Sequence, residues 1–171
     1  MTYEEAVNRA NSGDVDCMIM LGDFYLNNKN LDNYEQMKQA LPWYENAAKL
    51  GSARGAEGAM IIYDFFGMAN RSLNLWSDAI SEYQNAYNCG TLMQKLSNSD
   101  NTSTSSISEK KNKYGFLIAY CQYRNDDYSD ALDTLTQIPE LQDDLKSNML
   151  TGLCSFNLEN PDSKNILSIY E

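Results

Sequence analysis

Residues 40–51 read ALPWYENAAKLG, and residues 79–90 read AISEYQNAYNCG. The two stretches agree at Ala40 and Ala79, Tyr44 and Tyr83, Ala47 and Ala86, and Gly51 and Gly90. Apolar positions recur at helical spacing in both, so each reads as an amphipathic helix that ends at its glycine. Small residues at fixed places let a second helix approach closely, and the large aromatics fill the adjoining gaps. A helical hairpin cannot bury its outer face alone. A chain that repeats the hairpin buries it against the next copy, which predicts an all-α repeat architecture.

Leu21, Gly22 and Tyr25 stripe a preceding helix over about 14–28, and Ala59, Ile62, Tyr63 and Phe66 stripe one over about 52–69. Asp32 is placed to cap the first repeated helix, with Glu35 reaching back as a capping box. Pro42 predicts a kink in that helix or a later true start. Ser72 is placed to cap the second repeated helix, which carries Leu75, Trp76, Ala79, Ile80, Tyr83 and Ala86. Ala10, Gly13, Cys17, Leu21, Gly22 and Tyr25 share their offsets with Ala48, Gly51, Gly55, Ala59, Met60 and Tyr63. Beyond Gly90 the register is lost. SNSDNTSTSSISEKKNK reads as a flexible polar insertion after a short helix at 92–96. FLIAYCQYRNDDYSDALDTL then resumes the pattern, and MLTGLCSFNLENP follows in frame, aligning Ala119 with Gly152 and Cys121 with Cys154. Asn160 and Pro161 suit the start of a last helix running to the end.

Combined, these spacings resemble the Sel-one-like repeat, a close relative of the tetratricopeptide repeat, whose pattern runs A..G...A...LG..Y and then A..WY..AA..G. The first copy departs from it only at Cys17, and the second places Gly55, Ala59 and Met60 where Ala, Leu and Gly are expected. The resemblance implies a right-handed α-α superhelix of about four helix pairs, one helical-repeat domain over 1–171. It divides into an N-terminal helix at 1–12, repeats at 13–51 and 52–90, the insertion at 97–111, a third repeat at 112–138, and a fourth repeat or C-terminal cap at 139–171.

Composition limits the function. The 171 residues carry 13 Lys and Arg against 24 Asp and Glu, a net charge of −11. Nucleic acid and anionic membranes need clustered cations, so neither is an expected partner. Hydrophobic content of 43% is ordinary for a folded chain, and no run approaches the roughly 18 apolar residues of a membrane span. The opening MTYEEAVNRANSG has acidic residues where a secretory signal has a basic head, which leads to the expectation of a cytoplasmic protein. The acidity concentrates between Asn125 and Leu145, at Asp126, Asp127, Asp130, Asp133, Glu140, Asp143 and Asp144. That stretch is either a solvated face or a docking surface for a basic partner.

Catalysis has no visible carrier. The chain has no histidine, and Cys17, Cys89, Cys121 and Cys154 lack the close pairing of a metal site. They read as reduced packing residues. Ser108-Glu109-Lys110-Lys111 and Ser99-Asp100-Asn101 mimic two motifs of serine-based penicillin-recognising enzymes, but in reversed order and without the third. No phosphate-cradling glycine loop or metal-binding loop is present. The expectation is therefore a non-enzymatic protein-interaction module, an adaptor or scaffold without cofactor or metal.

In the repeat class that the chain resembles, the first helices of successive pairs line a concave groove. The corresponding positions here are Asp16, Ile19, Asp23, Leu26 and Asn27, then Arg54, Glu57, Ile61, Asp64 and Phe65. Further on they are Lys113, Phe116, Tyr120, Tyr123 and Arg124, then Lys146, Met149, Leu153, Phe156 and Asn157. Aromatics beside Arg124 suit a peptide or protein ligand, so Phe116, Tyr120, Tyr123, Arg124 and Phe156 are the candidate partner-binding residues. The alternatives are a regulatory or substrate-presenting arm of a larger protein and a self-associating solenoid, with an enzyme last.

Overall fold

The computed structural model describes residues 1–97, 104–142 and 144–161, and among these every regular element is helical. In chain order the α-helices are α1 (Tyr3–Asn11), α2 (Val15–Leu26), α3 (Asn33–Lys49), α4 (Ala53–Ser72), α5 (Trp76–Ser97), α6 (Thr104–Arg124), α7 (Tyr128–Gln137) and α8 (Leu145–Glu159), with a 3-10 turn at Pro139–Leu141 before α8. None of them is long and apolar enough to cross a membrane. The chain divides into two compact units. The first holds Met1–Phe65 with Asn85–Ser108, the second Phe66–Gln84 with Glu109–Glu171.

Four helices end in the same way. After α1, α3, α4 and α6 the chain passes through a left-handed residue: Gly13 (φ +95°), Gly51 (φ +87°), Asn74 (φ +59°) and Asp126 (φ +68°). The next N–H then donates to a carbonyl five residues back: Asp14 to Arg9 at 3.1 Å, Ser52 to Ala47 at 3.0 Å, Leu75 to Asn70 at 2.9 Å and Asp127 to Gln122 at 2.9 Å. Such turns satisfy carbonyls that the helix end leaves open, and glycine, asparagine and aspartate are the residues that tolerate this backbone. Three helix starts use carboxylates. Asp14 accepts from the N–H of Cys17 at 3.0 Å, Asp32 from Glu35 at 2.9 Å and Asp144 from Ser147 at 2.9 Å.

The first unit is organised around Tyr44. Its ring, on α3, lies between Gly22 of α2 and Gly58 of α4. A Cβ on Gly22 would stand 2.8 Å from the ring, and one on Gly58 would stand 2.5 Å from it. Gly55 lies so close to α3 that a Cβ there would meet the Ala48 nitrogen at 2.7 Å. Ala40, Ala47, Ala56 and Ala59 are buried around this slot, so three helices approach on small residues with one large ring as the wedge. The Tyr44 hydroxyl donates to Asp23 at 2.5 Å, and Arg54 holds the other oxygen of that carboxylate at 2.6 Å.

The second unit repeats the device with different partners. Tyr83 of α5 is wholly buried against Gly67 of α4, where a Cβ would stand 2.6 Å from the ring, and it stacks on Tyr114 of α6 with centroids 6.3 Å apart. Cys121, Ala119 and Ile118 of α6, Ala131 and Leu135 of α7, and Leu150 and Cys154 of α8 are also buried. The side chains of Gln122 and Thr134 join α6 to α7 at 2.8 Å.

Several expectations need correction. Gly90 ends no helix: it is buried within α5, which absorbs the short helix expected at 92–96. Ser72 is the last residue of α4 rather than a cap of α5, and its hydroxyl donates to the Ala69 carbonyl at 2.7 Å. Glu35 does not close a capping box on Asp32 but accepts from Gln39 at 2.7 Å. The reciprocal box belongs to Thr2 and Glu5 at the start of α1. Helix α3 runs unbroken through the exposed Pro42 and starts at Asn33. Of the insertion expected at 97–111, Thr104–Lys111 belongs to α6, anchored by the buried Ile107. Its remainder from 98 to 103, including Ser99-Asp100-Asn101, and the last helix expected after Pro161 lie outside the described residues.

Candidate functional site

The candidate binding residues all lie in the second unit. Phe116, Tyr120 and Arg124 are four residues apart, so they share one face of α6. The structure adds a residue that sequence reasoning left in the helix core pattern. Trp76, half-buried at the start of α5, receives Tyr120 edge-on with centroids 6.5 Å apart and Arg124 over its face at 4.7 Å. Arg124 also donates to the Tyr120 hydroxyl at 3.2 Å. A guanidinium held by a ring face and a phenol is oriented before any ligand arrives, and the exposed Arg124 keeps further donors facing solvent.

Tyr123 stands slightly aside. It is half-buried and packs on Tyr128 of α7, with centroids 5.6 Å apart. The Tyr128 hydroxyl donates to Asp126 at 2.6 Å, and its ionisation is pushed well up, by burial first and then by that carboxylate. Phe156 sits on α8 and has no ring contact with the α6 aromatics among the described residues. Its neighbours are apolar: Leu145 (73% exposed), Met149 (62%), Leu153 (43%) and Phe156 (50%) form one row along α8. At about 100° per residue these four fall within about 80° of one another around the helix. The opposite side of α8 is buried through Ser147, Leu150, Cys154 and Asn157. Asn157 thus leaves the groove positions, and so does Ile19 in the first unit, since both are buried.

Phe116 lines a pocket of about 510 Å³ with Lys113 and Leu117 of α6, Met68 and Arg71 of α4, and Lys146 at the start of α8. Tyr83 and Leu141 form its buried inner side, and Glu140 and Asp144 also line it. Lys113 also lies 5.2 Å from the Tyr114 ring centroid. In the first unit a smaller pocket of about 230 Å³ is lined by Glu45, Ala59, Tyr63, Asn88 and Cys89. There the Tyr63 hydroxyl donates to Glu45.

The acidic stretch does local structural work. Asp126 forms the left-handed turn after α6, Asp127 accepts from Asn125 at 2.6 Å, and Asp144 caps α8. Asp130 and Asp133 are exposed on α7, and Asp143 lies outside the described residues. The four cysteines are free, and three are buried. Burial pushes the thiols of Cys121 and Cys154 up to about 11, and burial followed by nearby Glu45 does the same for Cys89. No cluster of three or more potential metal ligands occurs among the described residues. Comparison of the chain with protein-family models, with curated proteins and with solved structures gives no match.

Proposed function

We propose that this chain is a non-enzymatic protein-interaction module, an adaptor or scaffold built as a right-handed helical-repeat solenoid of the Sel-one-like and tetratricopeptide kind. Its partner is a peptide or protein that docks on Phe116, Tyr120, Tyr123, Arg124 and Phe156. The observation that carries this reading is the apolar row of Leu145, Met149, Leu153 and Phe156, which leaves one side of α8 exposed while the other side is packed. Contiguous exposed apolar surface flanked by polar residues is typical of interaction sites. The preset Trp76–Tyr120–Arg124 cluster supports the same reading, because aromatic and arginine side chains dominate binding energy at interfaces.

The test is capture of partners from native lysate by the parent chain and by Tyr120→Ala, Tyr123→Ala and Phe156→Ala, followed by measured affinities for whatever is captured. Truncation of a contact residue should weaken binding by about 1–3 kcal/mol. Phe156→Ala is the cleanest variant, since half of that side chain faces solvent and its loss should leave the fold intact. Unchanged affinity in all three would refute the assignment. Loss of affinity on neutralising Asp130 and Asp133 instead would move the site to the acidic face of α7.

A further inference from the structure

We propose that the pocket beside Phe116 selects the partner's chemistry. It takes acidic side chains, Asp or Glu, that alternate with bulky apolar residues in an extended peptide segment. This assignment rests on the interaction-surface reading above and deepens it.

Arg71 lies half-buried in the pocket wall, and it takes part in none of the Arg9–Asp14, Lys38–Glu35 and Arg54–Asp23 salt bridges seen among the described residues. In a chain with 24 acidic residues, an arginine whose stem is partly buried in a pocket wall and whose guanidinium enters no salt bridge among the described residues keeps its donors for a ligand. Lys146, across the pocket at the start of α8, is likewise in none of these bridges. Lys113 brings a third cation from α6. Against them stand Glu140 and Asp144; Asp144, which accepts from the N–H and hydroxyl of Ser147 at 2.9 and 3.1 Å, keeps its negative charge, so the lining holds three cations against two carboxylates. The pocket is therefore locally cationic on a chain of net charge −11. At physiological ionic strength a charge is felt over about 8 Å, so a docked carboxylate responds chiefly to the pocket's own three cations and two carboxylates, a local excess of one positive charge.

The rest of the wall says what accompanies the acid. Met68, Phe116, Leu117 and Leu141 give the pocket apolar sides, so a bulky apolar side chain fits between the cations. The cations come from three separate helices, α4, α6 and α8. That spread serves several carboxylates along a segment better than one terminal carboxylate. Toward Arg124 the same face of α6 continues to Tyr120, where the segment's next aromatic or aliphatic residue would rest.

The experiment is calorimetric titration of the full chain at fixed physiological salt with three synthetic probes. One is an acetylated, amidated peptide alternating Glu with Phe and Leu. The second is its twin with Gln for Glu, and the third is the Gln twin with a free C-terminal carboxylate. The Glu peptide should bind at least about tenfold more tightly than either other probe, the scale of one charge-assisted hydrogen bond. Arg71→Gln and Lys146→Gln should each erase most of that preference and leave the affinity for the amidated Gln twin unchanged. Arg71→Lys should keep it in part, which separates loss of charge from loss of fold. Equal binding of the first two probes, or a preference that survives the Arg71→Gln/Lys146→Gln double variant, overturns the proposal. A free-carboxylate probe that matches the Glu peptide also overturns it, as does no binding by any probe. If the Glu and Gln peptides bind equally and Tyr120→Ala weakens both, the pocket assignment fails while the interaction surface stands. If the Glu preference tracks Arg71 but Tyr120→Ala and Tyr123→Ala change nothing, the pocket stands and the aromatic surface fails.

Discussion

Gly58→Ala should destabilise the first unit, although alanine is the better helix former. In open solvent the exchange inside a helix gains about 1 kcal/mol. At Gly58 the new Cβ would lie 2.5 Å from the Tyr44 ring, about 1 Å inside ordinary carbon–carbon contact. The ring cannot retreat, because Gly22 closes its other face at 2.8 Å to a Cβ position and the hydroxyl is tied to Asp23. Relief then requires α3 and α4 to separate, and overpacking of this kind costs about 1–3 kcal/mol. With the ring so confined we take the upper end, which leaves a net loss of about 2 kcal/mol after the propensity gain. Gly152 supplies the control: it is exposed within α8 with nothing within 4 Å of its would-be Cβ. Gly152→Ala should therefore stabilise by about 0.5–1 kcal/mol. Urea unfolding followed by far-ultraviolet circular dichroism should give the two variants opposite signs. In a Tyr44→Ala background the penalty of Gly58→Ala should vanish, as a double-mutant cycle would reveal. A Gly58→Ala protein as stable as its parent, or a penalty that persists without the ring, would refute the wedge.

Gly51 has open space around it but a left-handed backbone, so Gly51→Ala should cost about 1–2 kcal/mol. Asn74→Gly, at the equivalent turn after α4, should raise the melting temperature slightly. Cys89, Cys121 and Cys154 have folded-state ionisation pushed up to about 11, while an unfolded thiol ionises near 8.5. Their stabilising contribution is complete below about pH 8.5 and is lost as pH rises through about 11. Thermal melts in an alkaline series should decline over that window, less steeply for Cys→Ser variants, and a thiol reagent should modify Cys121 and Cys154 only on unfolding. Backbone N–H groups, of Cys17 and of Ser147 respectively, are the main reason Asp14 and Asp144 are held below the ordinary carboxylate range. Their contribution is present above about pH 4 and is lost as pH falls through the lower folded values, so Asp14→Asn and Asp144→Asn should flatten the acid side of the stability profile.

The second helix of each repeated hairpin was legible because its constraints are local. Tyr44 and Tyr83 recur at the same distance from Ala47 and Ala86, and both rings are buried. What receives the ring was not legible. Offsets aligned Met60 with Gly22, yet Gly67 faces Tyr83. The cause lies in the connections. Helices α2 and α3 are joined by residues 27–32, whereas α4 and α5 are joined only by residues 73–75. The shorter turn and longer helices shift the antiparallel register by two helical turns, so the glycine moves seven residues along α4. Asn74 was hidden as a helix stop because a left-handed asparagine there does the work of Gly13 and Gly51, while Gly90, aligned with Gly51, lies inside α5.

The candidate surface shows the same division between what a helix face encodes and what only packing decides. The face shared by Phe116, Tyr120 and Arg124 follows from spacing on one helix, as do Met149, Leu153 and Phe156 on the exposed side of α8, whereas Leu145 was not among the expected positions and Asn157 is buried. Trp76 could not be separated from core positions by periodicity, because it sits one residue from Leu75 and three from Ala79 in an ordinary apolar pattern. Only the arrival of Tyr120 and Arg124 from α6 turns it into the base of a cluster. Arg71 was silent for the opposite reason, as a lone cation near a helix end looks like a favourable dipole contact. Its meaning depends on where carboxylates are not. A sequence holding nearly two acids per base gives no hint that this guanidinium enters no salt bridge among the described residues, and that observation is the one from which an acidic ligand is proposed.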